Sequence, residues 1–171
     1  MKKNLILTGM MGVGKSTIGK SLSKKLNMNF IDIDKIIEKN QNTTILKIFE
    51  EKGEKYFRDL EKQTSLLELK KKDSVISLGG GAFMNKEIRT EALNTSCSFW
   101  LDLKIKTIKE RIKNSNKRPL LNKKNLTISL NEIYNNRKDI YNLANHKIDC
   151  NKITLVDVVE KIIDLYENKT N

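Results

Sequence analysis

The chain contains little cysteine, proline and histidine, and it has no long apolar run. Its two cysteines, Cys97 and Cys150, lack the local spacing of a metal site, so we expect two reduced thiols and no zinc centre. No stretch reaches the ~18 consecutive apolar residues of a transmembrane helix, and Met1 leads into a predicted strand without the apolar segment of a signal peptide. These absences argue against a disulfide scaffold and a membrane protein, and they predict a cytoplasmic location.

A length of 171 residues is typical of one compact domain whose core needs no disulfide or structural metal. The formal net charge of +12 is also typical of proteins that bind nucleic acid. The lysines, however, are spread along almost every polar segment, which indicates solvated faces instead of one basic stripe. We therefore predict a single domain over residues 1–171, a monomer that binds neither nucleic acid nor a membrane.

Arginine is scarce, since it supplies only five of the 33 basic residues. The guanidinium group offers a rigid planar fork that lysine lacks, so a position that keeps arginine is a candidate for binding a planar anion. The five positions are Arg58, Arg89, Arg111, Arg118 and Arg137. Four of them recur below at proposed site positions.

Glycine is concentrated in two segments, and the first is Gly9–Thr17, which fits the phosphate-binding pattern Gly-x-x-x-x-Gly-Lys-Ser/Thr. A buried strand is predicted over residues 4–8, and Ile18, Leu22 and Leu26 recur at one-turn spacing after the loop. The loop thus joins a strand to a helix N-terminus, where backbone N–H groups and the helix dipole favour phosphate. These features predict a nucleotide-binding site.

The residue types of this loop indicate what each would do. Glycines let the backbone wrap an anion closely, Lys15 would neutralise charge on the β- and γ-phosphates, and the hydroxyl of Ser16 would bind Mg²⁺. A purely structural glycine turn would not need the Lys-Ser pair.

Two carboxylates, Asp32 and Asp34, end a predicted strand over residues 29–34. They are two positions apart, so both would point the same way, at the strand edge where open α/β sheets bind ligands. An alternative is a strand end with Asp34 as the N-cap of the next helix. Beside a phosphate loop, one acid could hold the hydration shell of Mg²⁺ and the other could accept a hydrogen bond from a substrate hydroxyl.

A break at Gly53 is predicted to divide the next helical region. The apolar spacing of the second part predicts a buried stripe of four residues: Phe57, Leu60, Thr64 and Leu67. Arg58 and Glu61, three residues apart, then share a neighbouring face. The pair is either an exposed salt bridge or an arginine held for a substrate carboxylate.

The second glycine segment, Gly79-Gly80-Gly81, follows a predicted buried strand over residues 74–78. It could be a flexible turn, but at a parallel strand end we favour a place where a ligand approaches bare N–H groups. Further strands are predicted over residues 97–102 and 146–150, with a polar lid between helices from about residue 112 to 125. In the helix after the lid, Arg137 lies on an apolar stripe with Ile133 and Tyr141, so its charge needs a partner.

These segments, in this order and spacing, resemble the shikimate kinase family of P-loop small-metabolite and nucleoside monophosphate kinases over nearly the whole chain. The resemblance rests on the phosphate loop, Asp32 with Asp34, Phe57-Arg58-x-x-Glu61, the glycine triplet, Arg118-Pro119-Leu120-Leu121, and Arg137 with Tyr141. It implies a three-layer α/β/α P-loop kinase fold with a five-stranded parallel sheet in the order 2-3-1-4-5. It also implies a mobile lid at about 112–125 and substrate-binding helices at about 34–61.

The activity that the resemblance implies is transfer of the γ-phosphoryl group of ATP to the 3-hydroxyl of shikimate, a step of chorismate and aromatic amino acid biosynthesis. The implied catalytic residues are Lys15, Asp34 and Arg118, and the implied Mg²⁺ ligands are Ser16 and Asp32. The implied nucleotide site is Gly12, Gly14, Lys15, Ser16, Thr17, Arg111 and Arg118. The implied shikimate site is Asp34, Arg58, Gly79, Gly80, Gly81 and Arg137.

One segment departs from the family pattern, and two other functions stay open. Asn151-Lys152-Ile153-Thr154 stands where relatives often place an arginine and a proline against the adenine. The first alternative is another small P-loop kinase, acting on gluconate or on a nucleoside monophosphate. The second is a basic, nucleotide-dependent nucleic-acid-binding module, which would bind DNA or RNA with steep salt dependence.

Overall fold

The computed structural model describes residues 3–114, 119–121 and 125–170 of the chain. Its five strands are β1 (Asn4–Thr8), β2 (Asn29–Asp32), β3 (Ser74–Ser77), β4 (Ser96–Asp102) and β5 (His146–Asp149). Its helices are α1 (Lys15–Leu26), α2 (Ile33–Gln41), α3 (Ile45–Leu69), α4 (Lys86–Thr95), α5 (Ile105–Ile112), α6 (Leu126–Tyr141) and α7 (Leu155–Thr170). A short 3₁₀ turn, Ala82–Met84, follows the glycine triplet.

The five strands form one parallel sheet in the order β2-β3-β1-β4-β5. This result confirms the predicted order. Strand β1 lies at the centre between β3 and β4, and all five of its residues are buried, as expected for a strand covered on both faces. The sheet therefore brings the ends of β1, β2 and β3, which lead to the phosphate loop, the two acids and the glycine triplet, to one edge.

The strand that carries the acids is shorter than predicted, because it ends at Asp32 instead of residue 34. Asp32 is the N-cap of α2, and its side chain accepts a hydrogen bond from the backbone N–H of Lys35. Asp34 lies in the first turn of α2, where a carboxylate interacts favourably with the helix dipole. The prediction that both acids project from a strand was therefore wrong, although both still lie at the carboxyl end of β2.

Helix α3 contains the predicted break, since Gly53 has φ 80° and ψ 170° and kinks the helix. The predicted buried stripe after the break is wrong in part. Leu67 is 63% exposed, whereas Glu61 is only 2% exposed, so the buried face is rotated toward the glutamate. Within the described residues, no helix is long and apolar enough to cross a membrane.

Asn4, at the start of β1, is buried and joins three chain segments. Its amide nitrogen donates to the carbonyls of Leu69 and Lys71, and its amide oxygen accepts from the N–H of Ser74. The side chain thus connects the end of α3 and the start of β3 to the centre of the sheet. The hydrogen bonds are buried or partly buried, so their loss would leave backbone groups unsatisfied.

We expect Asn4→Ala to lower the free energy of unfolding by about 2–3 kcal/mol, because it leaves buried backbone groups without partners. Urea denaturation followed by circular dichroism measures the loss. The control is Asn131→Ala, since the exposed amide of Asn131 contacts the Thr127 carbonyl one helical turn away. Asn131→Ala should lower the free energy of unfolding by less than about 0.5 kcal/mol. Equal losses in the two variants would contradict the role of Asn4.

Candidate active site

The phosphate loop ends at Gly14, which is the N-cap of α1. Gly14 has φ 107°, a left-handed conformation that residues with a Cβ rarely adopt, and it has no side chain that could cap the helix. The backbone N–H groups of the first turn of α1 are therefore not capped by a residue at this position, and an anion can accept from them. The ammonium group of Lys15 donates to the loop carbonyls of Gly9 and Met10 at 2.8 and 3.0 Å.

Ser16 and Asp32, the two predicted Mg²⁺ ligands, are in direct contact. The Ser16 hydroxyl donates to Oδ2 of Asp32 at 2.6 Å, although the residues are sixteen positions apart in sequence. The described residues contain no group of three or more histidine, cysteine or acidic side chains that could hold a metal ion. Two oxygen donors beside a phosphate site fit Mg²⁺, which typically takes one or two protein ligands and completes its shell with phosphate and water.

A cavity of about 450 Å³ lies over the phosphate loop. Among its lining residues are all the predicted nucleotide-site residues that the structure describes: Gly12, Gly14, Lys15, Ser16, Thr17 and Arg111. The guanidinium group of Arg111 donates to the carbonyls of Gly12 and Val13 at 3.2 and 3.0 Å, so helix α5 contacts the loop through this residue. These contacts hold the arginine at the nucleotide cavity.

The segment after β5, which departs from the family pattern, is a tight turn connected to the end of β4. The side chain of Asn151 accepts from the backbone N–H of Lys104, and Asp149 accepts from the backbone N–H of Asn151. Lys152 has a left-handed φ of 58°.

Each residue of the glycine triplet contacts one side chain of the predicted shikimate site. A Cβ added to Gly79 would lie 2.8 Å from Oδ1 of Asp34. A Cβ on Gly80 would lie 3.6 Å from an N–H nitrogen of Arg137, and one on Gly81 would lie 2.5 Å from a nitrogen of Arg58. The glycines therefore let a carboxylate and two guanidinium groups approach consecutive residues at one strand end.

Arg58 is held by two glutamates of the same helix. Its Nε and one terminal nitrogen donate to Glu54 at 3.2 and 3.1 Å, and the other terminal nitrogen donates to Glu61 at 2.6 Å. Three of the five guanidinium N–H groups have acceptors within the described residues, which leaves one N–H on each terminal nitrogen for a further acceptor. That pair matches the two oxygens of a carboxylate.

Glu61 is buried beside the glycine triplet, and the sequence pattern did not reveal its burial. Burial raises the pKa of the Glu61 carboxyl above its usual range, and the neighbouring Arg58 opposes that rise. A Cβ on Gly79 would lie only 2.4 Å from Oε1 of Glu61. The Arg58–Glu61 pair is therefore not an exposed salt bridge, because its carboxylate lies inside the protein against the glycine triplet.

A second cavity, of about 200 Å³, contains both arginines and the acids. Its lining includes Asp34, Arg58, Glu61, Gly80, Gly81 and Arg137, and it also includes the apolar residues Phe49 and Phe57. The two cavities share Met11, Ser16, Asp32, Asp34 and Gly80 in their walls. The smaller cavity thus adjoins the cavity over the phosphate loop, and Met11 and Ser16 of that loop line both.

Comparison with known proteins identifies the family. The sequence model of the shikimate kinase family matches residues 11–167. The chain belongs to the shikimate kinase family.

Individual relatives agree with the family match over nearly the full length. A shikimate kinase from Sulfurihydrogenibium sp. is 41% identical over 161 residues, which cover 94% of this chain and 96% of the relative. The structure of a shikimate kinase from Acinetobacter baumannii in complex with shikimate has a TM-score of 0.95 at 29% identity, and the match covers 99% of this chain and 95% of that one. The crystal structure of a shikimate kinase from Aquifex aeolicus has a TM-score of 0.86 at 34% identity, with 98% of both chains covered.

Part of the lid predicted for this shikimate kinase family member lies outside the described residues, and Arg118 is among the residues that are not described. The next two residues of its motif, Pro119 and Leu120, are described and line the smaller cavity. The role of Arg118 in catalysis therefore stays a prediction.

Proposed function

We propose that this chain transfers the γ-phosphoryl group of ATP to the 3-hydroxyl of shikimate, with Mg²⁺ bound through Ser16 and Asp32. The observation that carries the proposal is the glycine triplet, since its three residues contact Asp34, Arg137 and Arg58 in turn. Shikimate combines one carboxylate with ring hydroxyls, which matches two guanidinium groups and one carboxylate around a small cavity. Membership of the shikimate kinase family supports the same acceptor.

On the nucleotide side, the first turn of α1 and Lys15 bind and neutralise the β- and γ-phosphates. Lys15 can exchange its loop carbonyl partners for phosphate oxygens, because its ammonium group already lies at the loop. Arg111 closes the cavity from α5. Ser16 and Asp32 would hold Mg²⁺, which would supply positive charge against the charge that develops on the phosphates during transfer.

On the acceptor side, the two remaining N–H groups of Arg58 bind the carboxylate of shikimate, and Arg137 binds the same group from α6. Glu54 and Glu61 fix the Arg58 guanidinium group, so little side-chain entropy is lost when the substrate binds. The carboxylate end of shikimate is then fixed, which leaves a ring hydroxyl to point toward Asp34 and the phosphate loop.

The transfer step is a displacement at the γ-phosphorus. The 3-hydroxyl oxygen forms a bond to phosphorus, the bond from phosphorus to the β–γ bridging oxygen breaks, and ADP leaves with that oxygen. Asp34 accepts the hydroxyl proton, because it lies in the wall that the two cavities share. Arg118 is proposed to reach the transferring group when the lid closes, and to act chiefly in the transition state.

The position of the new phosphate tests this geometry. After incubation with ATP, Mg²⁺ and shikimate, the product is separated and its phosphorus–proton couplings are measured by NMR. We expect a single monophosphate that couples to the proton on C3. A product phosphorylated on another hydroxyl would mean that the two arginines orient the ring differently from the proposal.

We expect Arg58→Lys to raise the KM for shikimate about tenfold or more and to leave the KM for ATP unchanged. Lysine keeps the charge but loses the bidentate contact, and a hydrogen bond to a charged group contributes about 1.5–3 kcal/mol. Steady-state kinetics with each substrate varied in turn measures the two constants.

Arg89→Lys is the matched control for that variant. Arg89 is also partly buried, but it donates to the backbone carbonyls of Phe83 and Met84 and has no proposed contact with shikimate. The control should leave the KM for shikimate within about twofold, as most changes away from a site do. If Arg58→Lys raised the KM for ATP and left the KM for shikimate unchanged, Arg58 would not belong to the acceptor site.

The proposal also keeps the expectations that the chain is one domain with a lid at about 112–125, acts as a monomer and works in the cytoplasm without nucleic acid. A nucleic-acid-binding module would retain DNA or RNA at physiological salt. We expect only weak retention that disappears there, because scattered lysines give a small and sequence-independent attraction.

A further inference from the structure

The carbonyl of Gly80 accepts two side-chain hydrogen bonds from α6. One N–H nitrogen of Arg137 donates to it at 2.8 Å, and the hydroxyl of Tyr141 donates to the same oxygen. Arg137 and Tyr141 are four residues apart, so they lie on one face of the helix. A carbonyl oxygen has two lone pairs, and these two donors occupy both.

We infer that Tyr141 is a positioning residue for the acceptor substrate. Its hydroxyl acts on the Gly80 peptide and, through that peptide, on Arg137. The inference rests on the proposed function, because it assigns Gly80, Gly81 and Arg137 to the shikimate site. Tyr141 itself is completely buried and lines neither cavity. Its hydroxyl would set the geometry of the groups that do.

The Gly80 peptide lies between the phosphate loop and the smaller cavity, so a small movement of this peptide would change the geometry of the proposed site. A Cβ on Gly80 would lie 3.5 Å from the N–H nitrogen of Met11 and 3.7 Å from the carbonyl of Gly9, so this residue packs directly against the phosphate loop. Because the peptide bond is planar and trans, fixing the Gly80 carbonyl toward α6 turns the N–H of Gly81 to the opposite side. Gly80 and Gly81 both line the smaller cavity, which is the proposed site of shikimate.

The same hydrogen bond limits the movement of Arg137. Its guanidinium group is rigid, so the bond from one nitrogen to Gly80 also sets the direction of the other N–H groups. Without the Tyr141 hydroxyl, the Gly80 carbonyl would have one donor in place of two and could rotate about its flanking bonds. A rotation of that peptide would shift both Arg137 and the Gly81 N–H.

A packing role alone would not need the hydroxyl. The Tyr141 ring packs against Trp100 with 5.9 Å between ring centroids, and a phenylalanine ring could keep that contact. Burial raises the pKa of the Tyr141 hydroxyl, so the group stays protonated and remains a donor at neutral pH. The hydroxyl is thus retained in a completely buried place, bonded to a residue of the acceptor site.

The test is Tyr141→Phe, which removes the hydroxyl and keeps the ring. We expect the KM for shikimate to rise about fivefold to tenfold, the range that loss of one hydrogen bond produces. The kcat and the KM for ATP should stay within about twofold of the unmodified protein. The direct Kd for shikimate, measured by calorimetry, should rise in parallel with its KM.

Tyr166→Phe is a close control, since the chain has a second buried tyrosine whose hydroxyl donates to a backbone carbonyl. Tyr166 is 1% exposed and bonds the carbonyl of Lys3, away from both cavities. Both variants should lose similar thermal stability, but Tyr166→Phe should leave the KM for shikimate unchanged. Equal KM values for the two variants would overturn the inference and assign Tyr141 a structural role only.

A double-mutant cycle with Arg137→Lys tests the route of the effect. If part of the effect of the Tyr141 hydroxyl passes through Arg137, adding Tyr141→Phe to Arg137→Lys should raise the KM by less than about fivefold, because only the route through the Gly81 N–H remains. A full fivefold to tenfold rise in that background would contradict the route through Arg137. If the unmodified protein did not phosphorylate shikimate, the proposed function would fail, whereas unchanged kinetics in Tyr141→Phe alone would refute only this inference.

Discussion

Replacing Lys15 with alanine is expected to lower the kcat on the order of a thousandfold while the fold stays intact. The transferring phosphoryl group carries charge that a preorganised cation must stabilise, and loss of one such donor typically costs two to three orders of magnitude. Lys15 is the cation of the phosphate loop, and its ammonium group contacts two carbonyls of that loop. A coupled assay of ADP release at saturating substrates measures the effect.

The control for this variant is Lys20→Ala, which removes an exposed lysine from the same helix. Its activity should stay within about twofold of the unmodified protein, because its side chain lines neither cavity. Circular dichroism and the Tm of both variants report whether they are folded. Near-normal turnover by folded Lys15→Ala protein would remove the phosphate loop from the mechanism.

Replacing Asp34 with asparagine is expected to lower the kcat about a hundredfold to ten-thousandfold, with a small change in the KM for shikimate. Asparagine has nearly the same shape and can still hydrogen-bond a hydroxyl, but it cannot take the proton, and general base catalysis contributes effects of this size. The carboxylate lies in the shared wall of the two cavities and against Gly79. Steady-state kinetics with varied shikimate separates the two constants.

Asp32→Asn serves as the comparison, because Asp32 contacts Ser16 and is proposed to hold Mg²⁺ instead of the proton. Its main effect should be a higher Mg²⁺ concentration at half-maximal rate, which added Mg²⁺ partly overcomes. Added Mg²⁺ should not restore the kcat of Asp34→Asn. A normal kcat with a raised KM in Asp34→Asn would make Asp34 a binding residue and leave the proton without an acceptor.

The sheet and the nucleotide loop could be predicted from sequence because both depend on local patterns. The strands of the sheet are short apolar runs, and Gly9–Thr17 needs one strand before it and one helix after it. Strand order required the family resemblance, since alternation of strands and helices alone is compatible with several orders. Asp32 and Asp34 were located correctly at the strand end, but the N-cap at Asp32 ended the strand earlier than its sequence suggests.

The buried face of α3 could not be predicted in the same way. Apolar spacing favours Leu67 over Glu61, yet Leu67 is exposed and Glu61 is buried. A glutamate is buried when its charge is paired and a small residue makes room for it, and here Arg58 and Gly79 supply these conditions. Gly79 is distant from Glu61 in sequence, so the apolar periodicity of the helix could not predict the contact between them.

The position of Arg137 in the sequence indicated a site residue more clearly than the apolar spacing of α3 did. An arginine on an apolar stripe requires a partner, and the structure supplies the Gly80 carbonyl. The second donor to that carbonyl, Tyr141, fits an apolar stripe as an ordinary core residue. Only the tertiary contact distinguishes its hydroxyl from a packing group.

Choice of acceptor tests the central claim most directly. ADP production from ATP and Mg²⁺ is measured without acceptor and with shikimate, gluconate or a nucleoside monophosphate at equal concentrations. The two arginines, Asp34 and the small cavity predict rapid ADP formation with shikimate and only background rates in the other reactions. Equal or faster turnover with gluconate or a nucleoside monophosphate, or no stimulation by shikimate, would contradict the proposed function.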